Sequence, residues 1–199
     1  YEIGVRLVGS EMCIRDGGGV KHAITFNSGT SALQAAYFAL GVGLGSAVLG
    51  PALTYHAALS PAFSLGANVL LADIDPRTRC LDFDSAERVV SEARFAVVTV
   101  VHQWGRPADM DRAVRFADKH GLKLLEDCSH AHGSTYRGRQ VGTFGDAAVF
   151  SLQANKAIFA GEGGVLVTND DAVADRATLV GNYRDRSREE VRDPLLRDY

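Results

Sequence analysis

From residue 22 onward the chain alternates short β-branched or apolar runs with longer stretches of helical period. HAITF (22–26), SAVLG (46–50), ANVLLAD (67–73), FAVVTVV (95–101), LKLLED (122–127), AAVFSL (147–152) and GVLVTN (164–169) read as strands. TSALQAAYFAL (30–40), YHAALSPAFSL (55–65), DSAERVVSEA (84–93), DMDRAVRFADKHG (109–121) and DDAVADRATLVG (170–181) read as helices. The fourth of these opens on an aspartate and closes on a glycine, the usual start and stop signals. Parallel strands need a crossover between them, and a helix is the usual one. The alternation therefore predicts an α/β fold in three layers, a mostly parallel mixed sheet with helices on both faces. Ligands of such sheets bind beyond the carboxyl ends of the strands.

Composition narrows the partners. The chain has 199 residues, is 46% hydrophobic and carries a formal charge of −3, an ordinary globular balance. That charge gives no electrostatic case for nucleic acid or an anionic membrane. No run approaches the roughly 18 apolar residues of a membrane span. Cys13, Cys80 and Cys128 are odd in number and widely spaced, so neither a disulfide framework nor a zinc site is expected. A reducing cytoplasm is the default location. Residues 1–16 have no clean period, and LVGSEMCIRD within them looks like translated adaptor sequence. We take 1–16 as a non-native leader and leave it out of functional reasoning. The C-terminal DPLLRDY stops in mid-pattern, so the chain reads as a fragment.

Several residues at the strand ends can carry chemistry. Asn27-Ser28-Gly29-Thr30-Ser31 joins a strand to a helix, where free N–H groups make either an ordinary cap or an anion site. Glu126-Asp127 closes a strand, and an acid there either caps the next turn or projects into the site. CSHAHG (128–133) follows, but two histidines and one carboxylate lack a third metal ligand at a recognisable spacing. Lys156 stands in the apolar, glycine-flanked run AVFSLQANKAIFAGEGG (148–164). In a dry pocket a lysine loses its proton more easily and becomes a nucleophile towards aldehydes. A phosphate cradle at 29–31, Asp127, Ser151 and an amine are together the parts that hold pyridoxal 5′-phosphate (PLP).

The series NSGTSAL, PALTYHAA, EDCSHAHGSTYRGRQVGTFGDAAVFSLQANK and GEGGVLVTND resembles the DegT/DnrJ/EryC1/StrS sugar aminotransferases, over about residues 20–199. The resemblance implies a fold-type-I PLP-dependent architecture. Members are about twice this length, so residues 20–192 correspond to an incomplete PLP-binding large domain and a small C-terminal domain is missing. Lys156 matches the Schiff-base lysine and Asp127 the acid facing the pyridine nitrogen. Tyr55 matches the aromatic stacked on the cofactor, and Gly29, Thr30, Ser31 and Ser151 the phosphate contacts. His130 falls where the family has glutamine or histidine near the ring and its 3-oxygen. His132 and Gly133 read as structural, with Gly133 allowing a tight turn. Trp104 either lines the site entrance or packs. Glu162 corresponds to a subunit contact, Tyr37 and Phe38 to core, and NYRDRSREEVRD (182–193) to a solvated helix.

The implied reaction moves an amino group from glutamate or glutamine to a keto sugar nucleotide or keto-cyclitol. The family pattern also implies a homodimer. The form Ser151-x-Gln153-x-x-Lys156 followed by GEGG resembles the branch acting on keto-cyclitols with glutamine, and sugar nucleotides stay open beside it. Three alternatives compete. PLP-dependent sugar dehydratases of the same family carry histidine in place of Lys156. A truncated domain would be inactive. A doubly wound nucleotide binder would need GxGxxG, which NSGTSAL does not supply.

Overall fold

The computed structural model describes residues 19–180 and 189–197. The expected leader at 1–16, Cys13 and residues 182–188 of the charged stretch lie outside them. Among the described residues seven strands form one sheet: β1 (His22–Phe26), β2 (Ala47–Pro51), β3 (Asn68–Ala72), β4 (Phe95–Val101), β5 (Lys123–Asp127), β8 (Ala147–Ser151) and β9 (Gly164–Thr168). Their order is β1-β9-β8-β5-β4-β2-β3. The run from β3 to β8 is parallel, and β9 pairs antiparallel with both β8 and β1. The sheet is thus mixed and mostly parallel, as the alternation of runs predicts. A two-residue hairpin, β6 (Thr135–Tyr136) and β7 (Arg139–Gln140), sits apart from it. It is too short and polar to have been read as strand.

Successive strand residues face opposite sides of the sheet, and each side has its own core. On one side α1 (Gly29–Ala39), α2 (Ser60–Ser64) and α5 (Asp171–Leu179) pack over Val48, Val97, Val101, Leu125 and Val149. On the other, α3 (Phe83–Val89) and α4 (Met110–His120) cover Leu49, Val98, Val100 and Leu124. In α4, Asp109 accepts the Arg112 N–H at 3.1 Å and Gly121 turns out at φ 65°. Such an N-cap contributes about 1 kcal/mol. A last short helix, α6, spans Pro194–Arg197.

Three expectations change. The helix expected over 55–65 is a 3-10 turn, His56–Ala58, followed by α2, because Pro61 has no N–H to continue a helix. The helix expected over 84–93 starts one residue earlier, behind the Asp82 cap, and ends at Val89. Tyr37 is fully buried, donating to Ala58 O at 2.6 Å and bonded to Thr99 Oγ1 at 2.8 Å. Its neighbour Phe38 is not core; it lies at the helix surface under the Arg176 guanidinium. Among the described residues no helix is long and apolar enough to cross a membrane.

Candidate active site

The parallel strands β2, β4, β5 and β8 end on one edge of the sheet, and the loops that follow them surround a pocket. It encloses about 670 Å³, open mouth included. Gly29, Thr30, Tyr55, Asp127, His130, Ser151 and Lys156 all line it. Ser31 does not: its N–H donates to Ser28 Oγ at 3.1 Å, and the two hydroxyls are hydrogen-bonded to each other at 2.9 Å. The first turn of α1 is therefore capped from within. Gly29 and Thr30 are left to face the pocket.

Glycine at position 29 is a steric requirement. A Cβ there would lie 2.9 Å from Ser151 Cβ, so α1 and the end of β8 touch only because it is absent. A Cβ on Gly164 would run into the Ser28 carbonyl in the same way. These contacts set the N-terminal end of α1, with its exposed N–H groups, beside the Ser151 hydroxyl. That is a donor set suited to an anion.

Asp127 is buried at the end of β5, and its Oδ1 accepts the Ser129 N–H at 2.9 Å. It caps the next turn and lines the pocket at once. Its predecessor, Glu126, faces the other way. Glu126 Oε1 accepts from Phe144 N at 2.7 Å and Gly145 N at 2.8 Å. Its Oε2 accepts from Gly142 N at 2.8 Å and is 3.1 Å from His102 Nε2. His102 Nδ1 accepts the Ala108 N–H at 3.1 Å, which leaves the ring proton on Nε2, pointing at Glu126. His102, Glu126 and Cys128 place their ligand atoms within 4.8 Å of one another, which invites a metal. The hydrogen bonds occupy both imidazole nitrogens and both carboxylate oxygens, so the cluster is a cross-link between β5, the 142–145 loop and the turn after β4.

Lys156 is not embedded in an apolar run. Strand β8 stops at Ser151, and residues 153–162 form an exposed loop in which Lys156 alone is half-buried. Its backbone N–H donates to Gln153 O at 2.9 Å. Ile158 and Phe159 of the same loop face solvent. Burial, helped by the nearby Lys156 ammonium and opposed by Asp127, holds the His130 imidazole below the ordinary histidine range. His132 is also held low, mainly by burial, and its ring packs 5.6 Å from Phe150. Gly133, at φ 74°, makes the expected tight turn. Tyr55 is 64% exposed at the mouth. Trp104 lies outside the lining; it is turned to solvent with Arg79 stacked on it at 5.4 Å.

Two lining residues carry polar atoms that sequence reasoning passed over. Thr54 Oγ1 and Gln103 Oε1 are buried without a hydrogen-bond partner. Leaving such an atom unpaired costs about 1–3 kcal/mol. Neutral polar residues in loops carry no sequence signal that separates them from ordinary turn residues.

The sequence matches the profile of the DegT/DnrJ/EryC1/StrS aminotransferase family over residues 11–192. It is 44% identical over 158 residues to L-glutamine:2-deoxy-scyllo-inosose aminotransferase of Streptoalloteichus tenebrarius, covering 79% of this chain and 37% of that protein. It is 42% identical over 178 residues to GDP-perosamine synthase of Caulobacter vibrioides, covering 89% of this chain and 48% of the relative. The chain thus spans less than half the length of either. Among solved structures, NtdA of Bacillus subtilis with bound PMP superposes with a TM-score of 0.79 at 26% identity, over 86% of this chain and 38% of NtdA.

Proposed function

This chain belongs to the DegT/DnrJ/EryC1/StrS aminotransferase family, and from that premise we propose that it carries the cofactor half of a PLP-dependent aminotransferase. The donor is glutamine or glutamate, and the acceptor is a keto-cyclitol or keto sugar nucleotide. Residues 20–192 are its PLP-binding large domain. One observation carries the reading: an amine, a buried carboxylate and an anion-binding helix end meet in one pocket at the carboxyl edge of the sheet. The buried, unpartnered Thr54 Oγ1 and Gln103 Oε1 and the close Gly29–Ser151 approach fit the presence of a polar ligand there.

Gly29, Thr30 and Ser151 would hold the cofactor phosphate, Tyr55 would stack on the ring, and Lys156 would bind the aldehyde carbon. Bound there, PLP supplies a carbonyl for capturing amines and a protonated ring that accepts electrons when the donor's Cα loses its proton. Asp127 would keep the ring nitrogen protonated, as an adjacent carboxylate does for a cationic group. Lys156 Nζ would take the proton from the donor's Cα and later deliver one to the acceptor carbon. His130, whose imidazole burial holds below the ordinary histidine range, would position the ring edge. Exposed Tyr55, Ile158 and Phe159 at the rim support a homodimer in which a second copy covers this edge. Cys80 and Cys128 are free thiols, in keeping with a reducing cytoplasm.

The test is amine transfer by the full-length protein, with glutamine and glutamate each 15N-labelled at the α-amine offered together with scyllo-inosose or a keto sugar nucleotide. We expect labelled aminocyclitol or amino sugar from wild type and none from Lys156→Ala. Label transfer by the variant, or none by wild type with any acceptor in the presence of PLP, would contradict the assignment.

A further inference from the structure

The end of the charged stretch is tied to the fold rather than left in solvent. Val191 has no exposed surface, and Asp193 accepts the Leu195 N–H at 2.9 Å to start α6. The anchor is Asp175 of α5, which is only 5% exposed. Its Oδ2 accepts the backbone N–H groups of Arg192 and Asp193, both at 3.0 Å. A buried carboxylate holding two consecutive backbone donors fixes the path of the chain beside α5. Next to this anchor, His22 opens β1, the last strand at one edge of the sheet. Its Nε2 lies 2.6 Å from Asp171 Oδ1, and its Nδ1 lies 3.2 Å from Arg192 Nη2.

The chemistry of the two partners fixes the state of the ring between them. An ionised carboxylate only accepts hydrogen bonds, and a guanidinium only donates them. Both contacts therefore require the neutral imidazole, with its proton on Nε2 and a lone pair on Nδ1. A second proton, on Nδ1, leaves the Asp171 contact in place but turns the acceptor of Arg192 into a like charge. We propose that residues 189–197 form a pH-sensitive strap, gripped at the sheet edge while His22 is neutral and loosened when it is protonated. The other charges at this corner favour the same outcome. Among the described residues they are Lys21, 2.7 Å from Asp171 Oδ2, and Arg192 Nη1, 3.2 Å from Asp171 Oδ1 and 3.5 Å from Asp175 Oδ1. Lys21 and a protonated His22 together balance Asp171 in excess, so Arg192 is the cation pushed away. Asp175 keeps its backbone bonds, which makes the response a loosening and not a detachment. Histidine is the side chain whose ordinary charge change falls between about pH 5 and 8. None of these groups lines the pocket, so the strap stands or falls apart from the PLP reading.

The experiment is hydrogen exchange of the full-length protein, followed by mass spectrometry on peptides that contain the Arg192 and Asp193 N–H groups. Protection is corrected for the intrinsic exchange rate, referred to peptides of β4, and compared at about pH 7.5 and about pH 5.5. In wild type it should fall about fivefold at the lower pH, the loss of one partly exposed charged contact. His22→Asn takes up no proton there, and Arg192→Leu carries no charge to repel. Each should therefore show the same protection at both pH values. Wild-type protection that does not change with pH overturns the proposal. A fall that persists in either variant overturns it too, because another group is then responsible. The Arg192 side chain is 50% exposed, so Arg192→Leu keeps the test decisive should His22→Asn not fold.

Discussion

Two adjacent residue pairs divide the molecule into a scaffold and a site. His102 and Glu126 are fully buried, and their ring nitrogens and carboxylate oxygens all have partners. Their successors, Gln103 and Asp127, face a pocket, and Gln103 Oε1 has none. The strand pleat alone accounts for the change of side at 126 and 127. The difference teaches where to look for function. A satisfied buried network ties loops together, whereas buried polar atoms without partners that also line a pocket, as Thr54 Oγ1 and Gln103 Oε1 do, suit a place that a ligand completes.

The largest effect expected from breaking that comparison is on the scaffold. Glu126→Ala strips the acceptor from three backbone N–H groups and His102 and should cost about 3–5 kcal/mol in urea denaturation of the full-length protein. Asp127→Ala loses the Ser129 cap alone and should cost about 1 kcal/mol. Equal losses for the two would erase the distinction between scaffold and site.

How much of this was legible beforehand follows from the same physics. Strand β4 was read with its observed limits because FAVVTVV is apolar throughout, and the paired helices explain why both faces are covered. Helix 55–65 was over-read because its apolar spacing hides the break at Pro61. By residue type alone Glu126 and Asp127 are both strand-end acids, and it is the resemblance that singles out Asp127. Which one meets the cleft depends on His102, 24 residues away, and on the 142–145 loop, neither of which local pattern can supply. Lys156 stood out by chemistry, though its surroundings were misjudged: apolar neighbours in the sequence proved to be an exposed loop. Ser31 looked equivalent to Thr30 until the cap from Ser28 engaged it. Gln103 and Thr54 gave no sign at all.

The smallest expected effects are electrostatic and sharpen the contrast by pH. Hydrogen bonds from Lys21, then His22, bring the exposed Asp171 carboxyl down to about 2 from 3.8. A lowered acid stabilises the fold above its unfolded pKa and loses that contribution as pH falls from 3.8 through about 2. His130 behaves differently. Its lowered value means the unfolded chain binds the proton first, so stability drops as pH falls below 6.5. Asp171→Asn should therefore flatten the stability profile only in the acid range, and His130→Asn only from about 6.5 downward. Both are read from melting temperatures against pH. Coincident profiles for wild type and a variant would remove that residue from the account.

The central claim is that the pocket holds PLP through Lys156, and borohydride reduction of the PLP-treated full-length protein tests it most directly. The chain has four lysines, Lys21, Lys119, Lys123 and Lys156. Peptide mass mapping should find the reduced phosphopyridoxyl group on Lys156 at stoichiometric yield, with Lys156→Ala left unlabelled. Label confined to lysines other than Lys156, or no label on any lysine, would contradict it.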